Sequence, residues 1–172
     1  IRLIHYVAAG VFVMTGLVRA YWLFAGNQFE RLPALFPVRK RDWVNLVTQV
    51  KYYLMIHPER APHYIGHNPL QQLSYTTTYV VSIVVMFTGF AMYGQAAPGG
   101  FFYTITQPLT LAVGGIQVVR LVHHLCVWWF IIFPIMHIYL VIRKEVTERG
   151  GGLSGIVNGG HYIRADKEYV DE

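Results

Sequence analysis

At 172 residues the chain is 54% hydrophobic and only 13% charged, with a mean hydropathy of +0.37 and a formal net charge of +5. An ordinary soluble domain carries about 25% charged residues, so the deficit points to lipid as part of the solvent. The basic residues lie beside apolar runs, which argues for a membrane surface rather than a nucleic acid. The single cysteine, Cys126, excludes an internal disulfide, an all-cysteine metal site and a CxxCH attachment motif. Any haem would therefore be held non-covalently.

Taken in chain order, three segments reach the roughly 20 mostly apolar residues a membrane span needs. Helix A is predicted over residues 3 to 24, helix B over 76 to 94 with a start as early as 70, and helix C over 118 to 142. The chain opens on Ile1 inside an apolar run with no visible signal peptide, so the reading expects the natural protein to continue upstream. Tyr21, Trp22, Tyr93, Trp128 and Trp129 are aromatics suited to span ends or to packing around a large ligand. The A–B connection, 25 to 75, holds Arg31, Arg39, Lys40, Arg41, Lys51 and Arg60, whereas the B–C connection, 95 to 117, holds no charge. Arg143, Lys144 and Arg149 follow helix C. The positive-inside rule makes the A–B loop and the tail from 143 to 172 cytoplasmic and the B–C loop external. Within the A–B loop, residues 41 to 57 place Trp43, Val47, Val50 and Leu54 at 3–4 spacing, which predicts an amphipathic helix at the cytoplasmic interface. Five prolines break up the rest of that loop, and 149 to 161 reads as a flexible Gly-rich segment. The whole is expected to be one transmembrane helical domain.

Helix C carries "VHHLCVWWFIIFPIMHI" (122 to 138), three imidazoles in an apolar stretch. His123 and His137 are 14 residues apart, so they share a helix face to within about 40° and lie about 21 Å apart along the axis. His124 is about 140° from His137. His5, at the outer end of helix A, falls level with His123. Two neutral imidazoles facing each other from different helices are natural axial ligands of a low-spin b-type haem. Ala8, Ala9 and Gly10 follow His5, where a flat macrocycle could press on backbone, and Cys126 is also small. The competing reading is hydrogen bonding to a neighbouring helix, worth about 1 kcal/mol for each histidine. His123 and His137 on one face, with His5 at matching depth on another helix, favour function, and ionisable groups in a span are functional candidates. Neither helix A nor helix B offers a histidine opposite His137, so an inner haem would need a ligand from an upstream helix, making a four-helix bundle.

The segments "IRLIHYVAAG" (1 to 10), "RAYWLFAGNQF" (19 to 29), "YIGHNPLQQ" (64 to 72), "HIYLVIRKEV" (137 to 146) and "IVNGGH" (156 to 161) resemble the b-type cytochrome subunit of membrane-bound uptake [NiFe] hydrogenases. The resemblance covers essentially the whole chain. It implies an outer haem b on His5 and His123, and an inner haem b on His137 with a histidine of a first helix. It implies a bacterial inner-membrane protein that anchors an external hydrogenase. That subunit takes electrons from an iron–sulfur cluster of the small subunit, passes them through haem to quinone, and sits in a dimeric complex. His124 departs from the pattern, since relatives often carry another residue there.

Arg19 shares the face of His5 and could pair with a propionate or a lipid headgroup. Arg120, one turn before His123, could serve an outer propionate, and Arg2 is a weaker candidate. "GHNPLQQ" (66 to 72) lies at the cytoplasmic entry to helix B, level with His137. Related formate dehydrogenase cytochromes are similar in placing an Asn and a Gln three apart beside the quinone. His67, Asn68, Gln71 and His137 are accordingly the quinone candidates, against the plainer reading that His67 or Asn68 caps helix B. No P-loop, GxSxG or HExxH is present, so oxidoreduction would belong to the cofactor. The alternatives are the same role for a formate dehydrogenase or thiosulfate reductase, and a haem-free anchor. A small transporter is disfavoured because helix B carries no charge.

Overall fold

The computed structural model describes residues 1–27, 31, 35–36, 40–56, 62–64 and 67–148, with 153, 159 and 170 as isolated positions. The Gly-rich reading of 149 to 161 falls almost wholly outside these, as do Arg39, His57, Arg60 and Gly66. Among the described residues the protein is built of five helices. They are α1 (Arg2–Ala25), α2 (Lys40–Tyr53), α3 (Pro69–Gly94), α4 (Phe101–Ala112) and α5 (Ile116–Glu148). Three of them, α1, α3 and α5, are long and apolar enough to cross a membrane. Large apolar side chains stand outward on all three, among them Leu3, Val11, Leu17, Ile83, Leu125 and Ile135. Helices apolar on every side suit a lipid solvent, and the chain is an all-α membrane protein.

The helices fall into two compact units, Ile1–Leu32 with Tyr75–Trp129 and Pro33–Ser74 with Phe130–Glu172. Lipid tails are as apolar as leucine, so helices in a bilayer associate through small residues, close packing and interhelical hydrogen bonds. The first unit follows that rule. Helix α1 runs antiparallel to α3, with Tyr6 edge-on to Tyr93, a Met86 thioether over Gly16, and the Arg19 Nε–H donating to the Tyr79 hydroxyl at 2.7 Å. At the far end of α3, Phe90 stacks on Phe102 of α4 with ring centres 4.9 Å apart. A Cβ on Gly94 would stand 2.8 Å from the Tyr103 backbone nitrogen, so only glycine admits this approach. The B–C connection, read from the sequence as loop, therefore contains a helix. At 12 residues, with Pro108 inside it, the helix is too short to span and carries a residue that weakens its sequence signal. Its C-terminus closes with Gly114 and Gly115 at φ 103° and 91°, whose N–H groups donate to the Leu111 and Thr110 carbonyls. Two left-handed residues in a row need glycines, and the double bond satisfies two carbonyls the helix leaves over.

In the second unit, α2 occupies the stretch predicted to be amphipathic. Its expected apolar face is the exposed one: Trp43, Val47, Val50 and Leu54 all stand outward, while Asp42, Gln49 and Tyr52 are buried. A soluble helix does the reverse. The last carbonyls of α2 are met by Arg143 of α5, whose Nη1 and Nη2 donate to Tyr53 and Tyr52 at 2.5 and 3.1 Å. The guanidinium lies 5.5–5.6 Å from both tyrosine ring centres. A cation at a helix C-terminus also opposes the helix dipole favourably. Met55, just beyond, takes φ 60° and donates to the Tyr52 carbonyl. Helix α3 begins in this unit with a reciprocal cap. The Asn68 N–H donates to Gln71 Oε1 and the Gln71 N–H to Asn68 Oδ1, both at 2.9 Å, with Pro69 in the first helical position.

Gly94→Ala is expected to cost about 2 kcal/mol through overpacking against the α4 backbone. Thermal unfolding in detergent should fall by several degrees for Gly94→Ala. For Gly10→Ala, where a Cβ meets nothing within 4 Å, it should hold or rise.

Candidate functional site

Only two of the three expected span histidines share a unit, and those two meet. His5 in the first turns of α1 and His123 of α5 have ring centres 6.2 Å apart with planes at 73°. Two imidazoles this close, one from each of two helices, could both reach a single metal-centred group placed between them.

What orients His123 is a residue the sequence reading missed. Thr88 of α3, 5% exposed, lies 2.9 Å from His123 Nδ1 through its hydroxyl oxygen. The hydroxyl donates back to the Val84 and Val85 carbonyls at 2.7 and 3.1 Å. With its proton so committed, Oγ1 is the acceptor and His123 Nδ1–H the donor. That leaves the lone pair on Nε2, the tautomer that histidines binding a metal through Nε2 take. Gly89 follows, and a Cβ there would stand 3.4 Å from His123 Cε1. The small-residue step Thr88–Gly89 is what lets the imidazole lie on the α3 backbone. Its signal in the sequence is a lone Thr-Gly in an apolar span, legible only once its partner helix is known.

His124 is turned elsewhere. Its Nδ1 pairs with the Arg120 carbonyl one turn back at 2.7 Å, and the side chain is exposed. Arg120 is exposed and donates to Gln117 at 3.0 Å, so it sits at the His123 end without touching either imidazole through a hydrogen bond. Arg19 lies on the face of α1 that carries His5, engaged with Tyr79 by hydrogen bond and by its guanidinium 5.5 Å from the ring centre. Ala9 is half-buried on that side, but Gly10 is not there. It lines a groove of about 560 Å³ with Tyr6, Val7, Val11, Met14, Thr15 and Val18 on the opposite face. Five residues turn a helix by about 140°, so Gly10 stands off the face that carries His5.

The second unit holds the remaining candidates. His137 of α5 stacks on Phe133 with ring centres 5.6 Å apart. Asn68 is buried, and its Oδ1, like Gln71 Oε1, is taken by the α3 cap. The capping reading is thus realised by Asn68 rather than His67. The amides of Asn68 and Gln71 can still offer N–H donors to a carbonyl-bearing ligand.

The arrangement suits haem chemistry, and comparison with known proteins agrees. The model of the prokaryotic cytochrome b561 family matches residues 1–159. The "Probable Ni/Fe-hydrogenase B-type cytochrome subunit" of Azotobacter vinelandii is 37% identical over 97% of this chain and 70% of its own length. The Cupriavidus necator protein of the same name is 35% identical over 92% of this chain and 66% of its own. The Escherichia coli K12 "Probable Ni/Fe-hydrogenase 1 B-type cytochrome subunit" is 32% identical over 92% and 69%. The chain belongs to the prokaryotic cytochrome b561 family and is a relative of the Ni/Fe-hydrogenase B-type cytochrome subunits.

Proposed function

We propose that this protein is the membrane-anchoring b-type cytochrome of a [NiFe] hydrogenase, taking electrons from an iron–sulfur cluster of the small subunit and delivering them to membrane quinone. The observation that carries the reading is the His5–His123 pair at 6.2 Å with Thr88 setting the His123 tautomer. A haem b held between these imidazoles would supply reversible one-electron transfer within the membrane. The chain's own residues do the rest. His5 and His123 bind from two helices, Thr88 holds the His123 proton at Nδ1, and the surrounding apolar faces exclude water. Arg120 stands beside His123 as the partner of an outer propionate. Arg19, steadied by Tyr79, serves a propionate farther along α1.

In the second unit, His137 is proposed as one axial ligand of an inner haem, its other ligand coming from an upstream helix. His67, Asn68 and Gln71, at the start of α3, and His137 would form the quinone site. The amide N–H groups of Asn68 and Gln71 suit a quinone carbonyl, which accepts hydrogen bonds. By the charge asymmetry of the loops, this site and the C-terminus face the cytoplasm of a bacterial inner membrane, and the hydrogenase docks on the opposite face. A dimer of the larger complex is part of the same proposal.

Pyridine haemochrome assay of full-length protein in membranes should give two haems b per polypeptide. One should remain in His123→Ala, and one, with the other spectrum, in His137→Ala. A wild type without haem would leave only a hydrophobic anchor. Thr88→Val should keep both haems and raise the midpoint potential of the one bound by His123. Loss of a hydrogen bond worth about 1 kcal/mol corresponds to about 40 mV for one electron. Redox titration of the split α-band reads this directly, and an unmoved potential would remove Thr88 from the site.

A further inference from the structure

Helix α2 buries an amide oxygen that has no hydrogen-bond partner among the described residues. Gln49 is 4% exposed, and its Oε1 is buried with no hydrogen-bond partner. A carbonyl oxygen taken from water and left unpaired destabilises a fold, and an apolar side chain of similar size would not. The same unit holds a second such atom, Gln72 Oε1, on the turn that follows the Asn68–Gln71 cap.

The neighbours of Gln49 on α2 tie that helix to two other segments of the unit. Asn45, one turn before and on the same face, donates through Nδ2 to the Tyr64 hydroxyl at 2.6 Å. Tyr64 stands three residues before His67 and four before Asn68. Tyr52, three residues after Gln49, gives its carbonyl to Arg143, which stands six residues after His137 on α5. The buried face of α2 is thus tied at one end to the segment that enters α3, and at the other to the helix that carries His137. Gln49 sits between the two ties, within about 6 Å of each along the helix axis.

We infer that Gln49 supplies the hydrogen-bond acceptor for the hydroxyl of a bound quinol. This rests on the quinone site proposed above and extends it to α2. The two redox forms of the ligand need opposite partners: a quinone offers carbonyl acceptors, a quinol hydroxyl donors. Asn68 and Gln71 each have one carbonyl lone pair engaged in the α3 cap and have N–H groups to give, which suits the quinone. Gln49 and Gln72 add buried acceptors that no hydrogen bond occupies. A residue kept at a cost to the fold and useful only when ligand is bound is a common mark of a functional site.

The test uses the full protein with its native partners in detergent, depleted of quinone. The probes are decyl-ubiquinone and a short-chain menaquinone, each in its oxidised and reduced form. Gln49→Met and Gln49→Leu remove the acceptor at near-constant volume. Both variants should unfold a few degrees higher than wild type without ligand. They should bind quinol about tenfold more weakly, the equivalent of one lost hydrogen bond, while quinone affinity changes less than threefold. Quinol affinity within twofold of wild type would overturn the inference, leaving Gln49 to a buried water. A lowered unfolding temperature, or failure of both variants to fold, would overturn it too, by showing the amide to be structural. If the wild type binds neither form of either probe, the quinone site itself is wrong. If it binds both forms and the variants are silent, only the role of Gln49 fails.

Discussion

The hydrogen bond from His123 to Thr88 is the constraint on which the first unit turns. In a span whose solvent is lipid, an imidazole N–H has no water to go to, and leaving it unpaired costs several kcal/mol. Thr88 answers that need with a hydroxyl whose own proton is held by the α3 backbone. Several features follow from the bond. Helix α5 must lie close to α3, which the glycine at 89 permits, and the imidazole must carry its proton on the inner nitrogen. His5 of α1 then stands with its ring centre 6.2 Å from that of His123.

The same logic, that buried polar groups must be paired where water is absent, organises the rest of the unit. Thr106 and Thr110 are almost fully buried yet cost little, because each hydroxyl donates to its own helix one turn back. Arg19 is kept within the unit by Tyr79, and the Trp129 indole N–H donates to Thr78. Apolar burial contributes less than in a soluble core. Among the described residues only Leu35, Tyr52, Ala91, Val119 and Cys126 are buried hydrophobics, while many large aliphatic side chains face outward. The second unit applies the rule from the other side. Its α2 turns aliphatics outward and polar groups inward, so its inner face must be satisfied by partners such as Tyr64 and Arg143. Gln49 is where that satisfaction stops.

The proposed quinone role of the Asn68–Gln71 pair is compatible with its observed capping role. The reciprocal cap starts α3 at a defined residue and fixes both side chains, so their remaining N–H donors are held rather than free to rotate. Rigid donors on a helix terminus make a better ligand site than mobile ones, because less conformational entropy is lost on binding. Capping and ligand binding are therefore compatible readings of the same residues.

The sequence by itself determined the class, the three spans, the amphipathic α2 and the short list of histidines. These depend on composition and period, and a lipid solvent writes them plainly as long apolar runs broken by rare ionisable groups. The start of α3 was also legible within a few residues, since a Pro after an Asn with a Gln three on is a local signature. Only the tertiary structure decided that α4 exists, that Thr88 holds His123, and that Gln49 Oε1 is buried without a hydrogen-bond partner. Each of these turns on what stands opposite a residue on another helix. In lipid, where apolar side chains have no preferred face, the pattern along one helix does not say which side its neighbour will take. The pairings are set by small residues and by the few polar groups that must find one another, and those are visible only once the helices are in place.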